Sequence, residues 1–320
     1  MNTRWMVTGS VLLGFVLLLG AGCLVAEQSD ETRSSPEGPL RVTCTIGMIS
    51  DVAAAIGGEH VTVVGLMGPG VDPHLYKATQ GDLARLRDAD LILYNGLHLE
   101  GRMADVLVKL ASRTPTYQVT DTIDPSLLRE PPEFSGNYDP HVWFDVSLWK
   151  TVATRIHEIL VEHAPEHKTY FDGLAADYLN EMDTLHDYAQ KELASIPSEN
   201  RILVTAHDAF GYFGRAYGLE VLGIQGISTS SEYGLQDLNG LINTLVERKI
   251  PAVFVESSVS PRSIEALIAG AEANGHSVRL GGELYSDAMG ADGTPEGTYL
   301  GMVRHNVDTI VKALHDGDAR

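Results

Sequence analysis

Two hydrophobic periods alternate along most of this chain. Short runs rich in branched and aromatic residues, bounded by Gly, Pro or Asp, predict strands at 40–46, 61–66, 91–94 and 116–119. Between them, residues 50–56, 79–88 and 103–111 carry the three-and-four spacing of amphipathic helices, and 121–137 reads as a Pro-rich loop. The second half repeats the pattern, with strands predicted at 201–205, 220–224, 252–255 and 277–280. Helices are predicted at 210–217, 235–248, 261–274 and 299–314. Strands alternating with helices imply parallel sheets with helices on their faces.

One stretch departs from this rhythm. Phe171, Leu174, Tyr178, Met182, Leu185, Ala189 and Leu193 recur at steps of three and four. They predict a single helix of roughly 30 residues, about 45 Å long at 1.5 Å per residue. Pro165 suits its first turn and Pro197 lies just beyond it. A helix so long has no place inside a small sheet, so it is expected to run along two lobes and join them. The expected fold is therefore α/β, with two Rossmann-like lobes. A first lobe at 40–165, a linking helix at 166–196 and a second lobe at 197–320 follow.

The first residues form an export signal in this reading. Arg4 precedes an apolar run at 11–19, and Gly20-Ala21-Gly22 leads to Cys23. The apolar run is short for a spanning helix. A small-residue run ending at cysteine resembles a bacterial lipobox, although Gly20 stands where Leu is usual. The expected arrangement is a signal peptide over 1–22, a lipidated Cys23 and a polar tether over 23–39. A cleaved soluble chain and an uncleaved anchor are the alternatives. Cys44 is then left without a partner, which excludes a disulfide framework or a thiolate cluster.

The formal charge of −20 is spread along the chain. It argues against nucleic acid or anionic lipid as a partner and tolerates cations. Candidate chemistry centres on Asp72-Pro73-His74, which recurs as Asp139-Pro140-His141. Proline holds its own φ and keeps the preceding Asp extended, so each imidazole sits on a stiff turn, as selective metal ligation requires. His207 directly follows the strand at 201–205, and Asp287 lies in a Gly-bounded loop after the strand at 277–280. In open α/β sheets, ligands bind beyond the carboxyl ends of strands. His74 and His141 from one half, with His207 and Asp287 from the other, would meet in a cleft between lobes. Three imidazoles and one carboxylate suit zinc or manganese rather than calcium or magnesium.

Other residues are weighed beside these. His98 stands beyond another strand end as an outside candidate. His60, His157, His163, His167, His186, His276, His305 and His315 read as ordinary exposed side chains. Asp72, Asp139, Asp208, Glu256 and Ser257 are placed to steady the imidazoles, and Trp143 and Phe144 to pack around them.

These motifs carry a resemblance. Thr45-Ile-Gly-Met48, Gly68-Pro-Gly-Val-Asp-Pro-His74, Asp90-Leu-Ile-Leu-Tyr-Asn-Gly-Leu-His-Leu-Glu100, Asp139-Pro-His-Val-Trp-Phe-Asp145, Val204-Thr-Ala-His-Asp-Ala-Phe-Gly-Tyr-Phe213 and Gly282-Glu-Leu-Tyr-Ser-Asp287 resemble the zinc/manganese solute-binding proteins of ABC importers. These are the cluster A-I periplasmic metal-binding lipoproteins, and the likeness is to the TroA type. It runs from about residue 40 to 314.

The resemblance implies two lobes joined by a rigid helix and one transported Zn²⁺ or Mn²⁺ between them. Its ligand pattern falls on His74, His141, His207 and Asp287. It also implies a permease with its ATPase as partners, an extracytoplasmic location and a monomer that is not an enzyme. A His at 207 rather than Glu is the form of zinc and mixed members. The His- and acid-rich loop of zinc-dedicated members is absent near His141, which keeps manganese in play, and iron remains open. A zinc-dependent hydrolase and a surface adhesin, the latter a role given to some members of the family, are the competing readings. Metal affinity is expected to weaken below about pH 6, near the ordinary histidine pKa.

Overall fold

The computed structural model describes residues 38–134, 136–230 and 234–315, without the Glu133 side chain. The expected signal peptide, Cys23 and nearly all of the tether lie outside the described residues.

The first lobe is built on β1 (Leu40–Cys44), β2 (Val61–Gly65), β3 (Leu91–Tyr94) and β4 (Thr116–Gln118). They form one parallel sheet in the order β2-β1-β3-β4. The central strands β1 and β3 are almost wholly buried, which is why they read as continuous apolar runs. Helices α1 (Gly47–Gly57), α2 (Gln80–Asp88) and α3 (Ala104–Leu110) connect them. Thr79 caps α2: its side chain accepts from the Asp82 N–H while Asp82 accepts from the Thr79 N–H.

Two helices then run together. The sequence reading assigned nothing to α4 (Val146–His163), an 18-residue helix. Asp145 caps it, with Oδ1 accepting from the Ser147 and Leu148 N–H groups. Its buried face includes Trp149, Val152, Ile156 and Leu160. The linking helix α5 (Lys168–Ala194) spans 27 residues, about 40 Å at 1.5 Å per residue. Pro165–His167 forms a separate 3₁₀ turn, so α5 starts two residues later than the 166 expected. Ala175 rather than Leu174 fills the second buried position of its stripe. Helix α5 packs against α1 and α4.

The second lobe has β5 (Ile202–His207), β6 (Glu220–Gln225), β7 (Ala252–Glu256) and β8 (Arg279–Leu284), with helices α6 (Gly211–Tyr217), α7 (Leu235–Arg248), α8 (Arg262–Ala273) and α9 (Tyr299–His315). β5 pairs with β6 and β7 with β8, all parallel, and β5 lies beside β7. Helices α6 and α9 also pack against α5.

The last strand falls at 279–284 rather than 277–280. Gly281 and Gly282 read as a turn in sequence, yet both lie in β8. A Cβ on Gly281 would come within 2.6 Å of the Phe254 ring, and Gly282 has φ +143°. Close approach of neighbouring groups, not a turn, requires glycine there.

One hydrophobic core unites residues of both lobes with α5: Ile49, Trp149, Phe171, Leu185, Phe210, Leu284 and Met302 all belong to it. A second cluster fills the space between β5–β7 and the helices α7 and α8. The lobes therefore share packed interior, and a shared interior resists hinging.

Candidate metal centre

Four side chains converge where the carboxyl ends of the two lobes' strands face each other. His74 stands on the turn after β2. Its backbone N–H donates to Asp72 Oδ1 (2.9 Å), and Asp72 Oδ2 accepts from the Thr229 hydroxyl of the second lobe (2.6 Å). His141 stands before α4. Asp139 Oδ1 accepts from its backbone N–H (3.0 Å) and from Nδ1 (2.8 Å). Asn95 Nδ2 donates to the Pro140 carbonyl (3.1 Å), and Glu100 fixes Asn95 by accepting from its N–H (2.8 Å).

His207 ends β5. Glu256, at the end of the adjacent β7, accepts from its backbone N–H (2.9 Å) and from Nδ1 (2.6 Å). Asp287 lies beyond β8, in a loop held from two sides. Asn306 of α9 accepts from the Tyr285 N–H and donates to its carbonyl. Trp143 Nε1 donates across the lobes to the Ser286 carbonyl (3.1 Å).

One ligand atom from each of His74, His141, His207 and Asp287 lies within 4.8 Å of the other three. His74 Nε2 is 3.2 Å from His141 Nε2. Asp287 Oδ1 is 3.3 Å from His141 Nε2, and Oδ2 is 3.3 Å from His207 Nε2. All four side chains are 2 % exposed or less. Yet His207 Nε2 and both Asp287 oxygens are buried with no hydrogen-bond partner among the described residues, because the close approaches are not aligned as hydrogen bonds. Buried polar atoms left unbonded are costly. A divalent cation at their common focus would satisfy all three at once.

Charge around the focus is unevenly held. Burial pushes the His74 imidazole down to about 3, so it is neutral. Burial also opposes the charge on His141, but the hydrogen bond to Asp139 and the nearby Asp287 carboxylate outweigh it and raise His141 to about 9. Burial opposes a charge on His207 as well, but Glu256 and Asp287 outweigh it and raise the imidazole well above the ordinary histidine value. Burial disfavours an ionised Asp287 too, yet the facing His207 and His141 hold its carboxyl well below the usual range. Without an ion, then, the two raised imidazoles carry protons opposite the carboxylate.

The structure treats the sequence candidates unequally. The four predicted residues meet. Asp139 and Glu256 bond imidazoles directly, Asp72 bonds the His74 backbone, and the Asp208 backbone N–H donates to the Gln225 carbonyl. Ser257 Oγ is buried without a partner among the described residues. His98 is exposed on a left-handed turn (φ 67°) and stays outside the cluster, lining a shallow pocket with His74.

Of the remaining histidines only His315 is exposed; the other seven are half-buried. His60 and His167, for example, stack with centroids 3.7 Å apart. Sequence reasoning missed Arg129, Asn95, Asn306, Tyr212 and Tyr299. Cys44 is buried and unpaired, as expected, and burial raises its thiol to about 12.

With this geometry in place, relatives can be compared. The family described as "ZnuA: Zinc-uptake complex component A periplasmic" matches residues 42–313. The chain belongs to this family. It is 48 % identical over 305 residues to the manganese-binding lipoprotein MntA of Bacillus subtilis, covering 95 % of this chain and 97 % of that protein. It is 51 % identical over 278 residues to the zinc-binding protein TroA of Treponema pallidum, covering 86 % and 89 %. The solved structure of the periplasmic zinc-binding protein TroA from Treponema pallidum superposes with a TM-score of 0.85 at 49 % identity, covering 87 % of this chain and 99 % of that one.

ZnuA-family members are solute-binding transport proteins, not enzymes. The hydrolase and adhesin readings find no support in these relatives.

Proposed function

We propose that this chain captures Zn²⁺ or Mn²⁺ outside the cytoplasmic membrane and delivers it to an ABC permease driven by its ATPase. His74, His141, His207 and Asp287 are the ligands in this reading. The observation that carries it is the set of buried, unbonded polar atoms aimed at one point from both lobes. Three imidazole nitrogens and a carboxylate suit either metal. The named relatives divide the same way, one manganese-binding and one zinc-binding.

Four protein ligands fill a tetrahedral site, which suits capture rather than the open position that a catalytic zinc needs. Imidazole donors held from behind, His141 by Asp139 and His207 by Glu256, resist rearrangement, so release is driven by the permease. Within this proposal the chain is a monomer anchored by lipid at Cys23 after removal of 1–22. Its lobes are bounded near 165/166 and 196/197.

Metal content tests the reading. The chain from Leu24, refilled with either ion and measured by mass spectrometry, should hold close to one metal per chain. His74→Ala and Asp287→Ala should hold little. Full occupancy in both variants would remove the four residues from the ligand set.

A further inference from the structure

We infer that Arg129 is a positioning residue that sets how strongly His141 donates to the metal, and thereby the balance between zinc and manganese; this rests on the ligand set proposed above. The two carboxylate-backed imidazoles differ in what stands behind them. Glu256 turns one oxygen to the His207 backbone and the other to Nδ1, and no cation shares it among the described residues. Asp139 gives Oδ1 to His141, but its Oδ2 is taken by Arg129 Nη1 at 2.6 Å.

Both lobes hold the Arg129 backbone in place. The Asp139 N–H donates to the Arg129 carbonyl (2.9 Å), and the Arg129 N–H donates to Tyr212 Oη (3.0 Å). Tyr212 in turn donates to the Asp139 carbonyl (2.9 Å), and Arg129 Cζ stands 5.7 Å from the centre of its ring. Space for the guanidinium depends on Gly211, where a Cβ would fall 1.0 Å from Nη1.

A carboxylate behind a metal-bound imidazole strengthens the nitrogen as a donor. An arginine that binds the same carboxylate draws part of that charge away. Weakening a nitrogen donor costs zinc more than manganese, because zinc gains more from such donors. Charge balance keeps Arg129 in place whichever of the two dications is bound. With a dication bound, the buried carboxylates of Asp139, Glu256 and Asp287 are neutralised by the ion together with Arg129. Arg129 therefore restrains the preference for zinc and keeps manganese competitive.

The test measures zinc and manganese affinities of the chain from Leu24 by competition with a chromophoric chelator at fixed pH, for Arg129→Gln, Arg129→Lys and Gly211→Ala. Arg129→Gln should raise the zinc-to-manganese affinity ratio roughly tenfold, the scale on which groups behind a ligand act. Gly211→Ala, which displaces the guanidinium without deleting it, should move the ratio the same way, and Arg129→Lys should stay near wild type. The Co²⁺-substituted site of Arg129→Gln should show ligand-field bands at higher energy.

An unchanged ratio in both Arg129→Gln and Gly211→Ala would overturn the inference, even if both variants bound all metals less well or melted earlier. So would Arg129→Lys behaving like Arg129→Gln. His141→Ala is the separate control: wild-type affinity there would overturn the ligand set itself rather than the role of Arg129.

Discussion

Glu256 holds His207 through two bonds, one to its backbone N–H and one, at 2.6 Å, to Nδ1. The second bond fixes the proton on Nδ1 and turns Nε2 toward Asp287. Glu256→Gln keeps the shape of this contact and removes its charge. Metal affinity should fall roughly 10–100-fold, read by chelator competition, with the variant still folded. Affinity equal to wild type would mean that the carboxylate contributes only packing.

Protons and metal compete for the same nitrogens. His141, raised to about 9, and His207, raised well above the ordinary histidine value, each hold a proton that the ion must displace. A cation binding to groups with raised pKa binds better as pH rises, and the gain ends once those groups have lost their protons. Affinity should therefore climb by up to roughly two decades per pH unit near pH 7, with the slope easing above about 9. The pH dependence thus sits higher than the ordinary histidine value suggests, because carboxylates face both imidazoles. Titration calorimetry in buffers of different ionisation enthalpy counts the released protons. A count near zero at pH 7 would contradict the charge arrangement described.

Metal loading should change the shape of the molecule little. Trp143 bonds Ser286 across the lobes, Tyr299 bonds the Trp143 carbonyl, and Asp51 of α1 accepts from both Tyr178 of α5 and the Tyr299 N–H. These ties, with a core common to both lobes, favour small tilts and local loop rearrangement over hinge closure. Small-angle scattering should give nearly equal radii of gyration with and without metal. A difference of several Å would show a hinge that this packing does not allow.

The linking helix bears part of the stability. Phe171 is fully buried in α5 within the core common to both lobes. Phe171→Ala should destabilise by about 3–5 kcal/mol in urea unfolding. A loss below about 1 kcal/mol would mean that α5 is not packed as described.

Much of this was legible in sequence because it depends on local pattern. Strands such as β3 and β7 are apolar runs closed by turns, and the stripe from Phe171 to Leu193 announces α5. The four converging residues could be picked out because each lies at a strand end or on an Asp-Pro turn, where parallel sheets place their ligands. Helix α4 escaped because its cap, Asp145, is also the last residue of the Asp139–Asp145 motif, and the apolar run from Val142 masks the helical period. Strand β8 was misplaced because Gly281 and Gly282 read as a turn, whereas Phe254 of another strand imposes the first and Thr309 of α9 crowds the second. Asn306 and Tyr212 act on residues 21 and 73 positions away, so no neighbouring residue marks them. Arg129 lies nearer its partner, but inside a Pro-rich loop without a regular period.

Anomalous diffraction from crystals of the chain grown with zinc or manganese tests the central claim most directly. The account predicts one strong peak at the metal edge, bonded by Nε2 of His74, His141 and His207 and by Asp287. A peak elsewhere, or one at this focus that lacks either His207 or Asp287, would contradict it.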